Sequence, residues 1–208
     1  MKLLPKSLQL VLPAALTCYL PVLLFNQHLE EGVLRGLMPV VTAIVGVLLA
    51  SDLVILHSTN QSLPMQIAQG IVGLILGSAV FHVTVIMFGA PVVDLWQQTL
   101  LLAVLLSSCV TMPLALHLGC APRKWLDLLL ELRVNNTQEL YLVCSSLGAM
   151  LGAYVGALPI PLDWDRPWQQ WPLTCVYGTL FGHAAGILTS VVIGATSKSC
   201  ATKPTKKD

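Results

Sequence analysis

Residues 156–172, GALPIPLDWDRPWQQWP, carry the densest polar and aromatic chemistry of the chain. Two apolar runs that contain almost no charge flank this connector. Arg166 can form a fork onto a carboxylate or a phosphate, and Asp163 or Asp165 can accept hydrogen bonds from nearby amides. Two carboxylates could also bind a metal, but the connector holds no His or further acid to complete a coordination shell. We therefore predict neither a metal nor a cofactor here.

The prolines and tryptophans of the connector indicate how its charges are held. Pro159 and Pro161 each fix φ and remove a backbone donor, so they stiffen the exit from the preceding helix. Trp164, Trp168 and Trp171 suit the water–lipid interface, where indole rings settle. The residues predict a rigid hairpin at the membrane surface with a fixed polar face. This hairpin could be a packing element, a docking surface or a lipid-headgroup contact.

Ionisable residues inside apolar runs are candidates for function by default. Asp52 lies near the end of its run, about one turn from His57, which predicts a solvated helix end. His82 and His183 lie deeper in their runs, and we expect neutral, hydrogen-bonded packing residues there rather than ligands. No nucleophile elbow, zinc-protease motif or P-loop occurs, and no loop exceeds about 20 residues, so we predict a non-enzyme.

Composition sets the class of protein. Of the 208 residues, 55% are hydrophobic and 10% are charged, whereas a soluble domain carries about 25% charged residues. The net charge of +1 and the lack of a basic, aromatic-rich patch predict no nucleic-acid partner. A helix needs about 20 apolar residues to cross a bilayer. The chain therefore reads as one all-α integral-membrane domain, 1–208, with six spans at about 7–26, 36–57, 67–89, 95–118, 139–160 and 172–195.

Basic residues predict the orientation of these spans, because loops rich in Lys and Arg stay on the cytosolic side. One side holds nine such residues: Lys2, Lys6, Arg123, Lys124, Arg133, Lys198, Lys203, Lys206 and Lys207. The other side holds only Arg35 and Arg166. Both termini and the tail 196–208 should therefore be cytosolic. The sequons at Asn60 and Asn135 should stay bare, and a glycan on either would invert this topology.

The longest connector, 119–138, contains an amphipathic segment, PRKWLDLLLELR. Its apolar residues recur at i, i+3, i+4 and i+7, namely Trp125, Leu128, Leu129 and Leu132. Lys124, Asp127 and Glu131 fall on the opposite face. This pattern favours a short helix that lies on the cytosolic membrane surface. The alternative is a ragged extension of the fourth span.

Glycines recur at intervals of four in two consecutive spans. The fifth span contains Gly148, Gly152 and Gly156; the sixth contains Gly178, Gly182 and Gly186, continued by Ser190 and Gly194. A shorter pair, Gly73 and Gly77, lies in the third span. Each set forms a stripe along one helix face, where a missing side chain lets backbones approach closely. The stripes could pack the fifth span against the sixth or dock the helices of a partner.

Two segments resemble a known family. The connector GALPIPLDWDRPWQQWP, followed by GTLFGHAAG at 178–186, resembles the C-terminal part of the PIG-F family of glycosylphosphatidylinositol (GPI) anchor biosynthesis. The stretch FHVTVIMFGAPVVDL, residues 81–95, matches the family pattern F-H-V, then G-A-P, then an acid, which is Asp94 here. The resemblance covers roughly residues 80–195.

The resemblance implies a non-catalytic, stabilising subunit in the endoplasmic reticulum membrane. Its implied partners are membrane lipids and the large PIG-O and PIG-G type enzymes, which transfer ethanolamine phosphate from phosphatidylethanolamine to GPI mannoses. The candidate contacts to a partner or lipid are His82, Asp94, Pro159, Pro161, Asp163, Trp164, Asp165, Arg166 and Trp168.

The alternative function is lipid-headgroup binding or catalysis on phosphatidylethanolamine by the connector itself. Arg166 would then contact the phosphate, and Asp163 or Asp165 the ethanolamine ammonium group.

Overall fold

The computed structural model describes residues 33–55, 62–162 and 169–201, together with Ala15 alone. These ranges contain helices and no strand. The α-helices are α1 Val33–Ile55, α2 Leu63–Met87, α3 Trp96–Cys109, α4 Thr111–Leu118, α5 Pro122–Leu130, α6 Thr137–Ala157 and α7 Leu173–Ala201, and a 3₁₀ turn covers Ile160–Leu162. This confirms the predicted all-α, multi-pass class.

Five stretches of the described residues are long and apolar enough to cross a membrane: Val33–Ile55, Leu63–Met87, Trp96–Leu118, Thr137–Ala157 and Leu173–Thr196. They correspond to the second to sixth predicted windows, with ends shifted by a few residues. The first window, 7–26, lies outside the described residues apart from Ala15, as do His57, Asn60 and residues 163–168.

The fourth predicted window is two helices instead of one. Helix α3 ends at Cys109 and α4 begins at Thr111, with Val110 between them at φ −117° and ψ −68°. Pro113 explains the break, because it has no N–H to donate to the Cys109 carbonyl and its ring crowds that oxygen. The two helices still form one span.

This broken span is the centre of the bundle. In its most apolar stretch 78% of the residues are buried, more than in the other four spans. It contacts α1, α2, α6 and α7. Its fully buried side chains include Leu102, Leu105, Met112 and Leu114. A span surrounded by lipid would have mostly exposed side chains. Helices α3 and α4 therefore form the interior against which the other helices pack.

Helix α5 occupies the predicted amphipathic segment, but the face that was predicted from Trp125, Leu128 and Leu129 packs on protein. Leu128 is 4% exposed, and Trp125 and Leu129 pack on the same core. The helix lies against α4 and α6. Leu132, which was predicted on this face, lies beyond the helix end with φ +51° and is 56% exposed. The segment is helical, as the spacing of its apolar residues predicted. The predicted apolar face, however, contacts protein.

Asp52 does not lie at a solvated helix end, contrary to the sequence prediction. Its side chain is 2% exposed and accepts a hydrogen bond from the Tyr141 hydroxyl at 3.1 Å. Close by, the Gln138 amide donates to the carbonyl of Ile55 at 3.2 Å. These two bonds join the end of α1 to the start of α6. The Asp52 carboxyl, which the sequence predicted to be solvated, is therefore buried between the two helices.

Candidate functional site

The two segments that carry the family resemblance meet at one end of the bundle. The loop from Phe88 to Leu95 joins α2 to α3 at the end where α6 leaves and α7 enters. On the α6 side, the Gln169 amide donates to the carbonyl of Pro159 at 2.8 Å, which closes the base of the connector. This arrangement defines the connector end of the bundle: residues 88–99, 157–162 and 169–174.

Thr99 links these segments. Its side chain is fully buried, and its hydroxyl accepts a hydrogen bond from the Trp171 indole N–H at 3.0 Å. The same hydroxyl lies 3.2 Å from the carbonyl oxygen of Leu95 and 3.3 Å from that of Pro91, to which it can donate. One threonine therefore fixes the connector to the G-A-P loop. Nothing in the local pattern of the sequence marks Thr99, because an isolated threonine in an apolar run is ordinary in a membrane helix.

The predicted contact residues are placed unevenly in the structure. Asp94 is exposed in the loop, Pro159 is half-buried and Pro161 is exposed. His82 is half-buried on α2, and its Nδ1 is shielded without a hydrogen-bond partner. Five of the predicted contacts, Asp163, Trp164, Asp165, Arg166 and Trp168, lie outside the described residues.

The glycine stripes of α6 and α7 face each other. A Cβ placed on Gly152 would lie 2.9 Å from the Cα of Gly182, and one on Gly178 would lie 3.1 Å from the Cα of Gly156. Gly148 contacts Gly186 in the same way. Ordinary contacts between carbon atoms are about 3.5–4.0 Å, so no side chain fits between these two backbones.

The stripes do not extend as far as the sequence indicates. A Cβ on Gly194 would meet only the Thr137 side chain, at 3.8 Å. In α2, by contrast, a Cβ on Gly73 would lie 2.9 Å from the carbonyl oxygen of Thr111, and Gly77 faces the same threonine. The shorter pair therefore packs α2 against the central span. These glycines pack helices within the chain, and docking of a partner's helices on the same stripes stays a prediction.

A shallow apolar groove of about 920 Å³ follows the α6–α7 seam. Glycines form its floor, while Leu151 and Val155 line one wall and Phe181 lines the other. These three side chains are each about 60% exposed. Thr174, at the connector end, also lines the groove. The groove is thus an exposed apolar surface of two spanning helices, and its shape depends on the close approach of their backbones.

His183 lies on the buried side of α7, with 2% of its surface exposed. A backbone group of Ser145 interacts with the ring, but neither ring nitrogen makes a hydrogen bond of ordinary geometry. Among the described residues, no group of three or more His, Cys, Asp or Glu side chains lies close enough to hold a metal ion. The arrangement at His183 is one of packing between α6 and α7.

Four spans packed around a broken central one, a glycine-packed pair of helices and a connector bonded to a neighbouring loop define a polytopic helical membrane protein. Comparison with protein families matches residues 9–191 to PIG-F, described as the GPI biosynthesis protein family Pig-F. The match covers most of the chain, and the chain belongs to this family.

Individual relatives agree with this assignment. A human protein named GPI ethanolamine phosphate transferase, stabilizing subunit, is 42% identical over 110 residues, which are 53% of this chain and 50% of the relative. The Yarrowia lipolytica protein named glycosylphosphatidylinositol anchor biosynthesis protein 11 is 32% identical over 130 residues, 62% of this chain and 56% of the relative. This chain thus spans about half the length of the curated relatives it matches. No solved structure matches it significantly.

Proposed function

We propose that this chain is a non-catalytic, stabilising membrane subunit of the ethanolamine-phosphate transferase complexes that modify GPI mannoses. The observation that carries the proposal is the family match over residues 9–191, together with human and mouse relatives that are named as a stabilizing subunit of such a transferase. The proposed partners are PIG-O and PIG-G type enzymes. The proposed location is the endoplasmic reticulum membrane, with both termini cytosolic.

The architecture supports a scaffolding role. The described chain consists mostly of spanning helices whose contacts are fixed by backbone proximity at Gly152 and Gly178 and by buried hydrogen bonds at Thr99 and Asp52. Such contacts hold one rigid arrangement of apolar surfaces. A rigid set of surfaces can stabilise the spanning helices of a larger enzyme without taking part in its chemistry.

The test is purification of the tagged full chain in a mild detergent. Stoichiometric partners are identified, and every fraction is assayed for ethanolamine-phosphate transfer. We expect activity to travel with a large multi-pass partner and the chain alone to be inert. Transfer by the isolated chain would overturn the proposal, as would a chain that runs without a partner while transferase abundance in the cell is unaffected by its loss.

A pair of variants separates scaffolding from headgroup binding by the connector. Asp165→Ala removes a candidate headgroup contact, and Asp127→Ala removes an exposed aspartate on α5 as the matched control. If scaffolding is the whole function, a connector variant that still binds its partner also keeps transfer activity. The alternative, in which the connector binds phosphatidylethanolamine, would be favoured if Asp165→Ala kept its partner but lost transfer activity while Asp127→Ala kept both.

A further inference from the structure

Helix α5 has two apolar faces, and among the described residues protein packing covers only one of them. Trp125, Leu128 and Leu129 pack on the core of the bundle. Leu126 and Leu130, one turn apart, remain 55% and 75% exposed. An exposed leucine pair on a helix of nine residues is a contiguous apolar surface, and some apolar medium has to cover it.

The order of side chains around α5 indicates which medium that is. At about 100° per residue, a circuit that starts at Leu128 passes the packed face, then the exposed leucine pair, and then the charges. The circuit reads Leu128, Trp125, Leu129, Pro122, Leu126, Leu130, Arg123, Asp127 and Lys124. The exposed pair thus lies between protein on one side and water-facing charge on the other. A helix that rests at a bilayer surface beside its own bundle has this order.

The position of α5 along the bundle agrees with this order. Helix α4 ends at Leu118 and α6 begins at Thr137, so α5 joins the ends of two spanning helices. The Trp125 indole donates to the carbonyl of Gly119 at 2.9 Å, which holds α5 close to the end of α4. The exposed leucines therefore lie at one end of the bundle, beside the ends of two spanning helices.

Charge favours phospholipid over other apolar partners. Arg123 is exposed and precedes Leu126 by three residues, which makes the two side chains neighbours on the helix surface. No carboxylate of the described residues pairs with Arg123. By contrast, Arg133 is held by Glu131 at 2.7 Å. A guanidinium that no described carboxylate pairs, beside an exposed apolar pair, matches a phosphate lying above acyl chains, because arginine binds phosphate in a fork while its stem lies on apolar surface.

We propose that α5 is a phospholipid-binding surface, in which Leu126 and Leu130 enter the bilayer interface and Arg123 contacts headgroup phosphate. The site requires neither the connector nor a partner subunit, so its test does not depend on the proposed function. Lys124 lies on the far side of Asp127 from the leucine pair, next to the packed face, and has no role in the site.

The experiment measures the depth of a fluorescent probe on the full chain in phospholipid nanodiscs. The probe is attached at Leu130→Cys, or at Asp127→Cys as the water-facing control, with the native cysteines replaced by Ala or Ser. We expect brominated phospholipid to quench the Leu130 probe several-fold more than the Asp127 probe, and iodide in the buffer to show the opposite order. Equal quenching of both probes by iodide would overturn the proposal.

A charge pair tests the phosphate contact. Arg123→Gln should reduce the quenching of the Leu130 probe by brominated lipid about two-fold, whereas Lys124→Gln, an identical change of charge one residue away, should leave it unchanged. An equal loss of quenching in both variants would indicate only a general electrostatic attraction to the lipid and would refute the Arg123 contact. If a co-purified protein shields the Leu130 probe from lipid and iodide alike, a protein covers this face and the lipid proposal is wrong.

Discussion

Tyr141 donates a hydrogen bond to Asp52 across 89 residues of sequence, with 3.1 Å between the hydroxyl and Oδ1. Both side chains are 2% exposed. The bond joins α1 to α6 near the end of the bundle that carries α5. A buried polar group without a partner is costly in an apolar medium, so each of these residues accounts for the position of the other.

Tyr141→Phe should weaken the fold by about 1 kcal/mol, the size expected of one hydrogen bond between membrane helices. The free energy of unfolding, measured in bicelles by denaturant titration, reports the change. The double variant provides the control. If the two groups bond only to each other, Tyr141→Phe should cost almost nothing once Asp52→Leu is present. Fully additive costs would show that the bond contributes no coupling.

Hydropathy and spacing predicted the spans and the glycine stripes because both depend on residues close in sequence. Gly148 and Gly152 share a face wherever α6 lies. The environment of Asp52 was predicted wrongly because its partner is distant in sequence, and no local window contains both. The link at Thr99 escaped prediction for the same reason, since its indole donor is Trp171. The break at Val110 was predictable from Pro113, but mean hydropathy does not register it.

Gly182→Ala should destabilise the α6–α7 pair by about 3 kcal/mol, the upper range for overpacking, because the new methyl group would lie 2.8 Å from the Cα of Gly152. Neither backbone can yield without separating the helices. Thermal unfolding of the purified chain is the measurement. Gly194→Ala is the matched control on the same helix, where the nearest side chain is 3.8 Å away, and we expect a change within about 0.5 kcal/mol. Equal effects of the two would contradict the packing assignment.

The same pair of variants bears on function. Close packing of α6 and α7 shapes the groove and the connector end. If a transferase binds these surfaces, Gly182→Ala should reduce the amount of transferase that co-purifies with the chain, and Gly194→Ala should not. A Gly182→Ala protein that is destabilised yet retains the full amount of partner would place the docking surface elsewhere in the bundle.

Thr99→Val should loosen the connector with little change in volume. The Trp171 indole N–H then loses its acceptor inside the bundle, at a cost of about 1–3 kcal/mol. Thr99→Ser keeps the hydroxyl and should stay within about 1 kcal/mol of the native chain. Limited proteolysis between residues 159 and 172 measures the effect. We expect faster cleavage in Thr99→Val than in Thr99→Ser, and identical rates would show that the bond at Thr99 does not hold the connector.

Cys120 provides a direct test of the predicted orientation. It is an exposed free thiol between α4 and α5, on the side that the basic residues assign to the cytosol. With the remaining cysteines replaced, a membrane-impermeant maleimide should label Cys120 in sealed microsomes without detergent. Val93→Cys, 76% exposed in the α2–α3 loop, should react only after permeabilisation. The reverse order would invert the predicted topology and place the connector in the cytosol.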